Sequence, residues 1–206
     1  MKKLILAAFM AMPLAAFAGL DEDISALQTE WAQIKYQRPA TEHEKAFAEL
    51  AKSADAVRGK HAGRAEPQIW YGIIAASYAG ARGGLGALSL AKDAKKALEQ
   101  ALEIDPKALD GSAYTSLGSL YYQVPGWPIG FGNDDKAREM LDKALALNPD
   151  GIDSNYFMGD FLYRKGDYAA ARQVLNKALK APARPGRALA DEGRRKEIES
   201  LLAAMR

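Results

Sequence analysis

Apolar residues recur along this chain at helical spacing rather than in the strict alternation of strands. Three segments share one pattern, in which two alanines seven residues apart enclose a leucine, a second leucine follows, and a proline closes the run. They are Ala94, Leu98, Ala101 and Leu102 before Pro106; Ala137, Leu141, Ala144 and Leu145 before Pro149; and Ala171, Leu175, Ala178 and Leu179 before Pro182. Seven residues make about two helical turns, so both alanines lie on one face where a neighbouring backbone approaches closely, and the leucine between them fills the groove. A further amphipathic helix is predicted ahead of each: Trp70 with Ile73 and Ile74, Tyr114 with Leu117, Gly118 and Tyr121, and Asn155 with Met158, Gly159 and Leu162. Trp31, Ile34, Ala46 and Leu50 mark a weaker first unit. From Asp191 to Arg206, Ile198, Leu201 and Leu202 share a face, which predicts a last helix with Arg194, Arg195 and Lys196 on its solvent side.

The pattern resembles the tetratricopeptide repeat, a helix–turn–helix of about 34 residues with an aromatic slot, a Leu-Gly step, a Tyr, two alanines and a terminal Pro. Tyr114, Leu117, Gly118 and Tyr121 with Ala137 to Pro149 form the best match, and Asn155 departs from the aromatic slot. The expected fold is therefore all-α: a helical-hairpin solenoid of about four repeats, the first degenerate, with the C-terminal helix capping the stack. The resemblance implies that the residue after the aromatic slot, and the one seven further on, face the concave side. Those positions are Tyr71 and Tyr78, Thr115 and Tyr122, and Tyr156 and Tyr163, a stripe carrying five of the nine tyrosines. Tyrosine pairs a large apolar body with a hydroxyl tip, which suits it to grip a peptide or a partly apolar small molecule; the same spacing also serves plain packing between helices. No cationic clamp for a chain terminus is assembled at these positions.

Two repeats are lengthened between their helices. Relative to Asn155–Ala171, the interval Tyr114–Ala137 carries seven extra residues, in the loop Val124 to Gly132, and Trp70–Ala94 carries eight, in Gly80 to Gly86. Stacking should bring both insertions to one edge. Loops rich in Trp, Ile and Phe are unusual, so Leu85, Trp127 and Phe131 are expected either to cover a hydrophobic end of the solenoid or to line a cavity.

The first residues change the picture of where the protein works. Met1-Lys2-Lys3, the apolar run Leu4 to Leu14 and Ala16-Phe17-Ala18 have the make-up of a secretory leader, with cleavage expected after Ala18 and residues 19–206 forming a single domain. The leader looks bacterial, which implies a periplasmic or extracellular location. The formal charge of +2 is carried by Lys2 and Lys3, so no basic surplus is left for nucleic acid. The chain has no cysteine, which removes disulfides, thiol chemistry and lipidation at an N-terminal Cys. No second apolar segment suggests a membrane span.

Little points to catalysis. His43 and His61 lack metal-ligand spacing and read as solvated surface residues. No GxSxG elbow occurs, and the glycines from 80 to 86 lack the closing Gly-Lys-Ser/Thr of a phosphate loop. Asp21, Glu22 and Asp23 read as charges at a helix N-terminus. The expectation is a non-enzyme without cofactor or metal.

The run Leu117 to Gly132, LGSLYYQVPGWPIGFG, followed by Lys136-Ala-Arg-Glu and combined with the leader, is more specific. Over about residues 60 to 185 it resembles the T component of tetratricopeptide-associated TRAP transporters. That resemblance implies a periplasmic helical protein that contacts the substrate-binding subunit and holds an apolar or amphipathic ligand in a channel, its mark being a closed apolar cavity behind Trp127, Phe131 and Leu85. A general scaffold gripping a protein or peptide in the tyrosine groove is the alternative.

Overall fold

The computed structural model describes residues 15–205, without the side chains of residues 15–18 and of Leu85. The apolar run of the predicted leader therefore lies outside the described residues. Nine helices span them: α1 (Ala15–Gln37), α2 (Ala40–Lys60), α3 (Ala65–Arg82), α4 (Gly84–Ile104), α5 (Ala108–Gln123), α6 (Asp134–Leu147), α7 (Ile152–Arg164), α8 (Tyr168–Leu179) and α9 (Ala188–Ala204). The fold is an all-α solenoid of tetratricopeptide type.

One contact repeats through it. The leucine between the paired alanines of each second helix enters a notch left by a glycine on the first. A Cβ on Gly72 would stand 2.6 Å from Leu98 Cγ, one on Gly118 2.7 Å from Leu141 Cγ, and one on Gly159 2.5 Å from Leu175 Cγ. All three leucines and the alanines Ala94, Ala137 and Ala171 have no exposed surface. Close backbone approach requires the small residue, and the interdigitated leucine restores full packing density.

This contact corrects the register read from the second repeat. Gly72, Gly118 and Gly159 are equivalent, so the aromatic slot four residues earlier holds Gln68, Tyr114 and Asn155, and Trp70 lies two positions past it. Asn155 replaces ring packing with hydrogen bonds: its Nδ2 donates to the carbonyls of Pro149 and Gly151 at 2.9 and 2.8 Å. The turn before α7 is thereby tied to the helix it enters.

The two insertions resolve differently. The residues from Gly80 to Gly86 form no loop; they lengthen α3 and α4, which are separated by Gly83 alone. Gly83 holds φ +64° with ψ −175° and Gly84 φ +61°, conformations that cost a residue with a Cβ far more than glycine. Residues 124–133 do form a loop, folded on its own backbone: Gly132 N–H donates to Pro125 O at 2.9 Å, Gly130 N–H to Gly126 O at 3.0 Å, and Asn133 N–H to Tyr121 O at 2.8 Å. Asn133 then caps α6 by accepting from the Lys136 N–H. The two insertions do adjoin, since a Cβ on Gly130 would stand 3.3 Å from Leu88 Cδ1 of α4.

The odd-numbered helices lie side by side on the inner face: α1 beside α3, α3 beside α5, α5 beside α7, and α7 beside α9. The row does not end there. α9 also packs on α1, with Gly193 against the Tyr36 ring and Tyr36 OH donating to Glu197 Oε2 at 3.2 Å. The last helix therefore joins both ends of the inner row and closes it into a ring, rather than only capping the stack. Its arginines shift accordingly. Arg194 is buried, and Arg195 donates to the carbonyls of Leu179 and Ala181, leaving only Lys196 of the predicted solvent trio exposed.

The notch sets the sign of two alanine substitutions. Gly118→Ala should destabilise the protein by about 1–2 kcal/mol, since overpacking outweighs the gain in helix propensity. Gly59→Ala on α2, where nothing lies within 4 Å, should stabilise it by up to about 1 kcal/mol. Urea unfolding followed by circular dichroism measures both.

Candidate functional site

The ring of inner helices surrounds a cavity of about 650 Å³. Its wall follows from the glycine register. Positions two before the glycine give Trp70, Ser116 and Phe157; one after give Ile73, Ser119 and Asp160; five after give Ser77, Gln123 and Arg164, and all nine line it. Helical periodicity places the three rows on one face, opposite the side that meets the paired helix.

Each sector of the wall has its own chemistry. Trp70 and Ile73 of α3 combine with Trp31 of α1 and Phe47 of α2 to form an apolar sector, in which Trp31 and Trp70 meet edge to face at 6.3 Å. Trp31 Nε1 donates to Ser77 Oγ at 2.8 Å, and that hydroxyl donates to Ile73 O. Helix α5 presents Ser112, Thr115, Ser116, Ser119 and Gln123. The third sector, from α7, α9 and the turn between α8 and α9, is ionic.

Asp153 is the hub of that ionic sector. Its Oδ2 accepts from Arg184 at 2.6 Å and its Oδ1 from Arg194 at 2.8 Å; Arg184 also pairs with Asp191, and Arg194 with Glu197, both at 2.6 Å. Glu197 reaches Lys35 of α1 at 3.4 Å. Burial pushes the Asp153 carboxyl up, but Arg194 and Arg184 outweigh it and hold it well below the usual carboxylate range. Tyr156 stands beside Arg194, whose guanidinium carbon is 4.2 Å from the ring centroid, and burial pushes its phenol up to about 12. On the same wall Arg164 pairs with Asp160 at 3.1 Å, and Asp160 accepts from Tyr122 OH at 2.7 Å.

Most of the tyrosine stripe does not face this cavity. Thr115 and Tyr156 line it; Tyr71, Tyr78, Tyr122 and Tyr163 do not. Tyr71 packs under Arg58 of α2 at 4.0 Å, Tyr122 is turned between α5 and α7 against Phe161, and Tyr163 meets Tyr168 at 5.6 Å. Tyr78 accepts from Arg82 of its own helix at 3.4 Å. The error has two sources: the two-residue register shift in α3, and the choice of rows, since the inner face follows the glycine by one and five residues. The apolar cavity expected behind the insertions also differs from what is found. Trp127 is 90% exposed, Phe131 packs edge to face on Tyr121 at 5.9 Å, and the Leu85 side chain lies outside the described residues.

Both histidines are less solvated than expected: His43 lines the cavity against Phe47, and His61 bonds Asp23 at 2.7 Å with 12% of its side chain exposed. Asp23 also holds Lys60, so it joins α1 to the end of α2 rather than marking a helix start. Sequence reasoning missed Arg184 and Arg187, which enter the cavity from Pro182-Ala-Arg-Pro-Gly-Arg187. Proline and glycine there signal a turn, but nothing in the local sequence says that the turn faces the inside of a ring. A cationic lining is thus present, supplied from outside the repeats.

The profile of the tetratricopeptide repeat family matches residues 130–203, from the end of the loop through most of α9. No curated protein matches the chain.

Asp153 gives the site a pH-dependent test. Its pKa is lower folded than unfolded, so its contribution is present above the unfolded carboxylate value near ~4 and is lost as pH falls toward the folded one. With 32% of its side chain exposed to the cavity, Asp153→Asn should cost about 1–3 kcal/mol at pH 7, below the cost of breaking a dry pair. The gap between the two proteins should narrow from pH 7 to pH 3 in urea midpoints. A second test is ultraviolet titration of tyrosinate: Tyr156→Phe should remove a proton that leaves near pH 12, not one near pH 10.

Proposed function

We propose that this chain is an exported binding module that works with a TRAP-type transporter. In this reading the closed ring holds a small amphipathic ligand, and the loop 124–133 presents a contact to the transporter's substrate-binding subunit. The observation that carries it is the meeting of α1 and α9, which turns an open concave groove into a cavity with an apolar, a hydroxyl-rich and an ionic sector. A volume of about 650 Å³ lies in the range of small-molecule sites. A bulky helix or sheet of a partner suits an open groove better.

The loop supports the second half of the reading. It is braced by its own backbone bonds, yet Trp127 and Ile129 stand 90% and 65% exposed at its surface. Large apolar side chains on a fixed scaffold are the usual anchors of protein contacts. Tetratricopeptide repeats are in general non-catalytic interaction modules, and no catalytic step is assigned to this one. Export follows from the leader reading. Cleavage after Ala18 removes the first four residues of α1 and leaves in place its buried residues among those described, from Leu20 at 2% exposure onward. With no cysteine, the mature chain works without a lipid anchor of that kind.

A general scaffold that takes a short peptide into the ring is the second reading, favoured by the serine, threonine and glutamine wall of α5, which suits main-chain groups.

Native mass spectrometry of the protein purified from its own periplasm separates the two. A co-purifying small molecule, lost on denaturation, is expected; a bound peptide or a stoichiometric protein with an empty cavity supports the scaffold instead. Trp127→Ser with Ile129→Ser should leave the small molecule bound and remove the substrate-binding subunit from pull-downs.

A further inference from the structure

One cation inside the ring forms no direct ion pair. Four cations, Lys35, Arg184, Arg187 and Arg194, surround three carboxylates, Asp153, Asp191 and Glu197, and the carboxylates are already taken. Asp153 is held by Arg184 and Arg194, Asp191 by the side chain and backbone N–H of Arg184, and Glu197 by Arg194, Lys35 and Tyr36. The Arg187 side chain makes no hydrogen bond or ion pair among the described residues, and its Nε is buried without an acceptor. Its guanidinium carbon lies 5.1 Å from the centroid of Trp70. Trp70 is 4% exposed, and its Nε1 is likewise buried without an acceptor.

Buried donors are almost always bonded, because leaving one unmet forfeits its hydration with no return. The Arg187 guanidinium, on the cavity wall beside the Trp70 ring and without a side-chain partner, marks a place where an acceptor is missing. Burial, and after it repulsion from Arg184, pull the Arg187 guanidinium below the usual arginine range and outweigh the attraction of Asp153 and Asp191.

We infer that Arg187, with Trp70 beside it, forms a head-group site for a small monocarboxylate whose apolar body lies along Trp31, Phe47 and Ile73. The assignment rests on the cavity reading above and names its ligand class. A carboxylate offers two coplanar acceptors that fit the guanidinium fork. The surplus inside the ring is a single positive charge, and Asp153 and Asp160 on the same wall would repel the second charge of a phosphate or dicarboxylate. The apolar sector adjoins Arg187 through Trp70 itself, so head and body are served by contiguous surface.

Isothermal titration with octanoate, octan-1-ol, octylammonium and inorganic phosphate tests this on the whole mature chain. Octanoate should bind at least about tenfold tighter than octan-1-ol, the worth of one charge-assisted contact, and octylammonium and phosphate should not bind. Arg187→Gln should bring octanoate down to the level of octan-1-ol, Arg187→Lys should keep part of the difference, and the melting temperature of Arg187→Gln should be no lower than that of the parent. Equal binding of octanoate and octan-1-ol, tighter binding of phosphate, or unchanged octanoate affinity in Arg187→Gln overturns the carboxylate site while leaving the cavity reading standing. Unfolding of Arg187→Gln would show the arginine to be structural and also overturn the site. Failure of the folded parent to bind octanoate or octan-1-ol at all would sink the site and the cavity reading together.

Discussion

Closure of the inner row of helices is the constraint on which everything else rests. Tetratricopeptide hairpins stack with a small rotation per unit and leave a concave face open. Here that face is shut because α9 reaches back to α1, placing Gly193 against Tyr36 and Glu197 between Arg194, Tyr36 and Lys35. The seam is polar on purpose of geometry: a cavity wall touched by water accepts charged pairs that a dry core would not. Asp153 of α7 fastens the same seam from the other side through Arg184 and Arg194. Ala190 and Leu189 of α9 join the apolar cluster of α1 and α2, and the ion pairs line the inner side of the seam, around a hollow interior.

The leucine-in-glycine notches act one level below. They fix the distance and rotation of each hairpin, and so decide which rows of the first helices face inward. Once Gly72, Gly118 and Gly159 are aligned, the wall residues follow at set offsets, and the chemistry changes from apolar on α3 to hydroxyl on α5 to ionic on α7. A ligand inside would meet an oriented gradient of polarity rather than a uniform surface, which is the physical basis for assigning it an apolar body and a charged end.

The second helices were legible because their pattern is redundant: two alanines, a leucine and a proline at fixed spacing, three times over. The degenerate first unit was legible from Trp31, Ile34, Ala46 and Leu50, all buried. The first helices were harder to read, since polar Gln68 and Asn155 sit where an aromatic is expected and Trp70 offers a false slot two residues on. That shift rotated the predicted inner face of α3 and, with the choice of rows, assigned to the groove tyrosines that serve contacts within and between helices. Glycines 80 to 86 suggested a loop because glycine is read as punctuation, yet only Gly83 and Gly84 use its freedom. The ionic wall was illegible for another reason. Arg184, Arg187 and Arg194 lie outside the repeats, and their place depends on ring closure, a property of the summed rotation of four hairpins rather than of any local segment.

Ring closure can be measured in solution. With no native cysteine to interfere, spin labels on Gln33→Cys of α1 and Lys196→Cys of α9, both exposed positions, report the separation of the two ends by double electron–electron resonance. A closed ring predicts one short, narrow distance distribution. A long or broad distribution, as for the two free ends of an open superhelix, would contradict the cavity and all that is built on it.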